Sequence, residues 1–162
     1  MARIDIPPGD GDPEVRVWAL RPEMGMAAGA LSHAIYEQSI VPVRERELAR
    51  MRIAQINDCA ICLAWRSTPG AEGVMHEDDY AHVATWREHH GYTDRERLAI
   101  EYAERFALDH RNLDDDFFAR LRTAFRDAEV LDLTVCIGGW IALGRTLHVL
   151  GIDGYCRIPP TR

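Results

Sequence analysis

Apolar residues recur at intervals of three and four positions along most of the chain from Glu23 onward. This spacing places them on one face of an α-helix. Pro22 suits the first turn of a helix that ends near Gln38, and Pro42 suits the first turn of a second helix. The second pattern stops at Asp58, which is a good N-cap for a third helix.

Four more helices are predicted in the second half of the chain, over residues 76–84, 93–109, 114–125 and 128–150. Thr93 and Glu96 form a capping box at the start of a long helix, and Gly151 ends the last one. No alternating run of β-branched residues is long enough to predict a strand. The fold class is therefore all-α, a helical bundle of about six to seven helices.

The last predicted helix is apolar nearly all round, so we expect both of its faces to be covered. A central position in the bundle and a subunit interface both explain this pattern. Its largely apolar run, Leu133 to Leu143, is too short to span a bilayer. Arg145 follows that run and needs a partner if it is buried, which Glu47 or a neighbouring subunit could supply.

The pattern divides the chain into three parts. Residues 1–22 are rich in Pro, Gly and Asp and predict a non-regular N-terminal extension that lies over the surface. Residues 23–152 form a single helical domain, and residues 153–162 are a C-terminal tail. A chain of 162 residues, 47% of them apolar, is large enough for one substantial core.

Charge and composition exclude several classes of function. The net charge of −7 gives no electrostatic support for binding nucleic acid. All 19 basic residues are Arg, so no Lys is present for Schiff-base or pyridoxal-phosphate chemistry. The first twelve residues lack the apolar core of a signal peptide, and we expect a soluble cytoplasmic protein with no membrane partner.

The most informative motif is Cys59-Ala60-Ile61-Cys62. Two thiols three positions apart in the first turn of a helix lie on the same side, close enough to form a disulfide. The N–H groups and the positive dipole end of that turn favour a thiolate. A thiolate beside a second thiol is suited to reversible two-electron redox chemistry. The alternative interpretation is a pair of small buried core residues.

We expect no metal and no cofactor. A structural zinc site needs about four ligands. The two other cysteines, Cys136 and Cys156, lie in the middle of a helix and in the tail, and they form no second close pair.

The stretch from Arg44 to Cys62 reads RERELARMRIAQINDCAIC and resembles the carboxymuconolactone decarboxylase superfamily. It is more closely similar to the alkylhydroperoxidase D branch, whose signature is Glu, eleven residues, Cys-x-x-Cys, three residues and His. Glu47 stands twelve positions before Cys59, in agreement with that signature. The resemblance covers roughly residues 23–152.

The resemblance implies an all-helical subunit that assembles into a homo-oligomer, either a trimer or a hexamer. It also implies a redox pair with an antioxidant role, which acts on an organic hydroperoxide or a disulfide and takes electrons from an unidentified thiol reductant protein. Carried over by position, Cys62 matches the peroxide-attacking thiolate, Cys59 the resolving thiol and Glu47 the carboxylate of the proton relay. Peroxide oxidises such a thiolate to a sulfenic acid, which the neighbouring thiol converts to a disulfide.

One position departs from the family signature, because the His four residues after the second cysteine is here Arg66. On a continuous helix Arg66 lies one turn from Cys62 and can reach its sulfur. A guanidinium can stabilise a thiolate, but it keeps its proton near neutrality and cannot act as a proton shuttle. We therefore expect disulfide chemistry more strongly than efficient peroxidase turnover.

Two other functions stay open at this stage. One is a carboxymuconolactone decarboxylase-like reaction on a lactone acid, which the superfamily includes but which does not need a Cys-x-x-Cys. The other is a redox-sensing or non-catalytic helical oligomer that keeps the dithiol without the His, as Arg66 suggests. For Glu47, the alternative to a catalytic role is a solvated position on an Arg-rich helix.

Overall fold

The computed structural model describes residues 2–66 and 75–152. Within those residues it contains eight α-helices and no strand. The helices are α1 (Pro13–Arg16), α2 (Pro22–Glu37), α3 (Val43–Asn57), α4 (Ala60–Ala64), α5 (Glu77–Ala81), α6 (Asp94–Asp109), α7 (Asp115–Ala124) and α8 (Asp127–Val149). Short 3₁₀ turns lie at Val17–Leu20, Val83–Thr85 and His110–Asn112.

The all-α class is confirmed, and seven of the eight helices correspond to predicted ones. The capping box of α6 is present as predicted. The Thr93 side chain accepts from the backbone N–H of Glu96 at 3.2 Å, and the Glu96 carboxylate accepts from the backbone N–H of Thr93 at 2.8 Å. These two bonds satisfy backbone donors that the first turn of a helix leaves without partners.

The N-terminal extension is not wholly non-regular, so that prediction is wrong for residues 13–20. Pro13 begins α1, because its fixed φ angle suits the first position of a helix. The following 3₁₀ turn contributes the buried side chain of Val17. The predicted tail, residues 153–162, lies outside the described residues, as does Cys156.

The connection between α3 and α4 also differs from the prediction. Asp58 adopts the left-handed conformation, with φ of 50°, and ends α3 as its C-cap instead of starting α4. Aspartate is one of the few residues besides glycine that enter this conformation readily. Cys59 follows in an extended conformation and is the N-cap of α4. This short helix ends at Ala64, because the chain becomes extended again directly afterwards.

The centre of the fold is α3, which is buried on almost every side. It packs against α6, α8 and α4. One apolar core joins α2, α3, α6, α7 and α8 and includes Ile53, Tyr102, Phe117, Leu133 and Ile137. A smaller cluster joins α3 to α5 and α6 through Leu48, Met51, Tyr80 and Ile100. The residues before Cys59 are therefore held rigidly on both sides.

One face of α8 remains uncovered by the described residues of a single chain. Ile137 and Trp140 are buried, whereas Leu131 and Val135 are 66% and 46% exposed. The expectation that both faces are covered is thus not met by the described residues of one subunit. As formed, α8 is also long and apolar enough to cross a membrane, a property that buried helices of soluble proteins share. The helix α8, Asp127–Val149, extends well beyond the apolar run from Leu133 to Leu143 noted in the sequence.

Two adjacent glycines give a matched test of the contact between α2 and α8. A Cβ at Gly139 would overlap the Cδ1 of the buried Ile35, whereas a Cβ at Gly138 meets no atom within 4 Å. We expect Gly139→Ala to lower the free energy of unfolding by about 1–3 kcal/mol through overpacking. Gly138→Ala is expected to leave it unchanged or raise it by up to about 1 kcal/mol, because alanine favours a helix. Urea unfolding measures both free energies, and equal losses for the two variants would contradict the close contact between Gly139 and Ile35.

Candidate active site

The turn from α3 into α4 positions the two cysteines of the motif. Cys59, the N-cap of α4, is 1% exposed, and Cys62, in the first turn of the helix, is half-buried. No disulfide joins them. Cys62 is therefore the more accessible of the two thiols.

Glu47 and Arg50 form an ion pair inside the protein, on the face of α3 next to this turn. Glu47 is 0% exposed and Arg50 is 1% exposed. Arg50 donates from Nε to Oε1 of Glu47 at 3.0 Å and from Nη2 to Oε2 at 2.9 Å. Burial disfavours the charged guanidinium, but the charge and hydrogen bonds of Glu47 raise the pKa of Arg50 above its usual value. The interpretation of Glu47 as a solvated residue is therefore wrong.

Arg50 also holds the backbone of α4. Its Nη1 donates to the carbonyl oxygen of Cys62 at 2.7 Å, and its Nη2 donates to that of Trp65 at 3.1 Å. The guanidinium lies 4.9 Å from the centre of the Trp65 ring. Because the two carbonyls belong to α4 and the residue after it, Arg50 fixes the dithiol segment on α3.

Two tyrosines complete the polar surroundings of the ion pair. The hydroxyl of Tyr80 donates to Oε2 of Glu47 at 3.2 Å. Burial and the charge of Glu47 raise the pKa of Tyr80 to about 12. Burial raises the pKa of Tyr36 well above its usual range, and the positive charge of Arg50 only partly offsets this. Both hydroxyls therefore stay protonated at neutral pH.

Three of the four predicted site residues come together in the structure. Cys59 and Cys62 share a cavity wall with Tyr36, and the charges of Cys62 and Glu47 both act on Tyr36. Arg50 connects the two parts, because it binds the Glu47 carboxylate and the Cys62 carbonyl at the same time.

Arg66 does not join this group in the predicted way. The helix ends at Ala64, so Arg66 does not lie one turn beyond Cys62 on a continuous helix. Its Nε and Nη2 donate to the carboxylate of Glu77 at 2.8 and 3.0 Å. Its guanidinium also lies 4.4 Å from the centre of the Tyr80 ring. The predicted placement is wrong because the chain leaves the helical conformation two residues earlier.

Arg145 does not pair with Glu47 either. It is exposed and donates from Nε to Oδ1 of Asn57 at 2.8 Å. Asn57 in turn donates to the carbonyl oxygen of Trp140 at 3.1 Å. These bonds tie the end of α3 to α8 and thereby place Trp140 beside the cysteine turn.

An apolar cavity of about 290 Å³, here called the cysteine chamber, opens beside the two thiols. Its wall includes Trp18, Ala28, Tyr36, Cys59, Cys62, Trp140, Leu143 and Leu147. A more open cleft of about 530 Å³ shares Tyr36 and Cys62 with the chamber and adds His33, Glu37 and Trp65. Cys62 is thus accessible from both spaces.

Sequence reasoning missed Arg50, Tyr36 and Tyr80. The i,i+3 spacing of Glu47 and Arg50 was a usable signal, because side chains three positions apart are neighbours on a helix. The two tyrosines come from α2 and α5, and no spacing along the chain relates them to the motif. Among the described residues, no group of three His, Cys, Asp or Glu side chains is arranged to hold a metal ion.

The buried ion pair generates a stability prediction. Glu47→Gln leaves the Arg50 charge uncompensated in the interior, and we expect a loss of about 3 kcal/mol or more in the free energy of unfolding. Glu77→Gln is the matched control, because Glu77 also pairs with an arginine but its side chain is 76% exposed. Its expected loss is below about 1 kcal/mol. Similar losses for both variants in urea unfolding would show that the buried pair has no special role.

The third described thiol gives a prediction about pH and reactivity. Cys136 is buried in α8, and burial, with the nearby Asp132 carboxylate, raises its pKa to about 12. Below that pH Cys136 stays a thiol, so at pH near 8 we expect iodoacetamide to modify Cys62 at least about a hundredfold faster. Peptide mass mapping of a time course measures both rates. Comparable labelling of Cys136 in the folded protein would contradict its placement.

The comparisons with known proteins agree with this fold. A model of the carboxymuconolactone decarboxylase family matches residues 22–105, which is more than half of the chain. The protein YnjA of Escherichia coli K12 is 35% identical over 119 residues. That match covers 72% of this chain, and the chain spans only 65% of the length of YnjA.

Two solved structures resemble the whole helical domain. One is a protein of Agrobacterium tumefaciens, proposed to be an antioxidant defence protein AhpD, at 26% identity and a TM-score of 0.69, covering 90% of this chain and 96% of that one. The other is a peroxidase-related protein of Silicibacter sp. TM1040, at 16% identity and a TM-score of 0.78. That match covers 93% of this chain and 90% of the other chain. At that identity the second likeness concerns the fold alone. This chain belongs to the carboxymuconolactone decarboxylase family and has the fold of its AhpD-like members.

Proposed function

We propose that this protein is a dithiol–disulfide oxidoreductase that reduces organic hydroperoxides in antioxidant defence, with Cys62 as the attacking thiol and Cys59 as the resolving thiol. One arrangement carries the proposal: the two thiols share one turn and line the chamber, Cys62 also lines the cleft, and Cys59 is the more buried of the two. The family and the likeness to a proposed AhpD antioxidant protein support the same class of reaction.

Besides the hydroperoxide, the reaction needs only the two thiols and one external reductant. The Cys62 thiolate attacks the terminal oxygen of the hydroperoxide, so that an S–O bond forms, the O–O bond breaks and the alkoxide takes up a proton to become an alcohol. The Cys59 thiol then attacks the sulfenic sulfur, which forms the disulfide and releases water. A thiol reductant protein, or dithiothreitol in vitro, returns two electrons and two protons.

Arg50 supports the thiolate without acting as a proton source. Its guanidinium is held by Glu47 and by the Cys62 carbonyl, and it interacts electrostatically with Cys62. A guanidinium keeps its proton near neutrality. Glu47 is committed to Arg50 and Tyr80, so in this proposal it orients the cation instead of carrying protons to the sulfur.

A redox-sensing function is the second candidate, and the position of Arg66 favours it. The residue that replaces the family His is bound to Glu77, so the dithiol lacks the imidazole of the family signature. In a sensor the disulfide forms with peroxide, but electron donors do not recycle it rapidly. Steady-state turnover with dithiothreitol or a thioredoxin-type dithiol protein distinguishes the two functions.

We propose further that the protein acts as a homo-oligomer in the cytoplasm. The exposed apolar side chains of Leu131, Val135 and Val149 on α8 support a contact with another subunit. A cytoplasmic location is supported by the chemistry of the pair, because that compartment keeps thiols reduced and supplies dithiol reductants.

Serine variants separate the roles of the two thiols. After one equivalent of cumene hydroperoxide, Cys59→Ser is expected to stop at a sulfenic acid on Cys62, which dimedone traps as a stable adduct. Cys62→Ser is expected to lose hydroperoxide reduction altogether, because the attacking sulfur is absent. Mass spectrometry of the labelled peptides locates the adduct.

Cys136→Ser is the control for these variants, because its buried thiol takes no part in the proposed reaction and wild-type behaviour is expected. A dimedone adduct on Cys59 in Cys62→Ser, with none on Cys62 in Cys59→Ser, would reverse the assignment of roles. Absence of an adduct in both variants would contradict hydroperoxide reduction.

A further inference from the structure

The proposed reaction needs a proton for the alkoxide that leaves when the O–O bond breaks. Arg50 keeps its proton near neutral pH, and so does Arg66, which is bound to Glu77. Glu47 accepts hydrogen bonds from Arg50 and from Tyr80, so both contacts use its carboxylate as an acceptor. The proton must therefore come from another group that reaches the space beside Cys62.

Two hydroxyl side chains share both open spaces with Cys62. Ser32 and Tyr36 line the cysteine chamber and also the cleft. A serine hydroxyl is about as weak an acid as the alcohol product, so it offers no downhill proton to the alkoxide. The phenol of Tyr36 is a stronger acid than an alcohol. Tyr36 is therefore the hydroxyl residue suited to protonate the leaving oxygen.

The hydroxyl of Tyr36 is also available as a donor. The hydroxyls of Tyr80, Tyr92 and Tyr102 contact protein groups, namely Glu47, the carbonyl of Asp79 and Thr134. The Tyr36 hydroxyl donates to no acceptor in the described part of the chain. Its oxygen receives a loose hydrogen bond from the indole of Trp140, which leaves the hydroxyl hydrogen for another acceptor.

The surroundings of Tyr36 keep this hydrogen in place while Cys62 ionises. Burial raises the pKa of Tyr36 well above its usual range, the charges of Cys62 and Glu47 raise it further, and Arg50 only partly offsets this. The hydroxyl is thus still protonated at a pH at which a thiolate has formed. The ring packs on Trp65 at 4.9 Å between centres, which fixes its position beside the α4 segment.

Building on the proposed function, we propose that Tyr36 is the proton donor of hydroperoxide reduction and takes the place of the imidazole in the family signature. Its hydroxyl bonds to the oxygen that carries the organic group. As the S–O bond forms and the O–O bond breaks, that oxygen takes the Tyr36 proton and leaves as the alcohol. Tyr36 then regains a proton from water in the open cleft, which returns the proton that Cys62 lost on ionising. A donor already in place stabilises the transition state more than the ground state.

The first test compares leaving groups that need a proton with leaving groups that do not. Cys59→Ser protein serves as the parent, because its oxidation stops at the sulfenic acid and it lacks the Cys59 thiol as a proton source. We expect added Tyr36→Phe to slow the oxidation of Cys62 by cumene hydroperoxide about a hundredfold. Oxidation by peracetic acid, which releases acetate, is expected to slow by less than about threefold. Alkylation by iodoacetamide, which releases iodide, is expected to stay within about twofold.

Tyr102→Phe is the matched control for the loss of a tyrosine hydroxyl. Tyr102 is buried, its hydroxyl lies 2.8 Å from that of Thr134, and it lines neither the chamber nor the cleft. All three rates are expected to equal those of the parent. Quenched-flow sampling with peptide mass mapping measures each rate at Cys62 itself.

The second test separates Tyr36 from the histidine at the mouth of the cleft. His33 lines the cleft and is exposed. A rate that depended on an imidazole donor would fall above about pH 6.5. With Tyr36 as the donor, the rate with cumene hydroperoxide is expected to rise as Cys62 ionises and to stay level up to about pH 9.5. We expect His33→Gln to leave this profile unchanged, and a loss of about a hundredfold in His33→Gln would overturn the assignment to Tyr36.

The outcomes distinguish this inference from the proposed function. Equal losses with cumene hydroperoxide, peracetic acid and iodoacetamide in Tyr36→Phe, or no loss with any of them, overturn the role of Tyr36 and leave hydroperoxide reduction standing. A parent protein whose Cys62 reacts with iodoacetamide but with no hydroperoxide overturns the proposed function, and the role of Tyr36 with it. A loss confined to cumene hydroperoxide supports both.

Discussion

The ion pair between Glu47 and Arg50 is the interaction on which the rest of the site depends. A helix of five residues such as α4 is not stable by itself, because short helices lack enough internal bonds to offset their ordering. Arg50 supplies the missing support by binding the carbonyls of Cys62 and Trp65 from the central helix. Its charge can be buried there only because Glu47 binds it with two hydrogen bonds. This compensated charge therefore acts together with the bond from the Cys59 N–H to the Ala54 carbonyl and the packing of Leu63 to position the dithiol.

This arrangement suits a segment that carries redox chemistry. Arg50 binds main-chain oxygens of α4, so a change in the bonding of the Cys62 sulfur need not break the support of the helix. Cys59 is fixed at the rigid end of α3, whereas Cys62 lies toward the chamber and the cleft. Tyr36, whose hydroxyl stays neutral, lines the chamber beside Cys62.

The fold was predictable where long patterns and local caps agree, as in α6, whose capping box at Thr93 and Glu96 formed as expected. The site was predictable only as far as the motif itself. Asp58 and Arg66 were misplaced because the exact ends of short helices depend on local backbone conformation, which periodicity does not specify. Arg50 was missed because α3 carries several arginines, and only tertiary packing determines which of them is buried. Spatial neighbours from α2 and α8, such as Tyr36 and Trp140, leave no mark on spacing along the chain.

The most direct test of the central claim is the free-thiol content and intact mass of the reduced protein, before and after one equivalent of cumene hydroperoxide. The account predicts rapid loss of two thiols and of the mass of two hydrogen atoms, with the disulfide located in the peptide that contains Cys59 and Cys62. Thiols that persist, or that oxidise no faster than free cysteine under the same conditions, would contradict it.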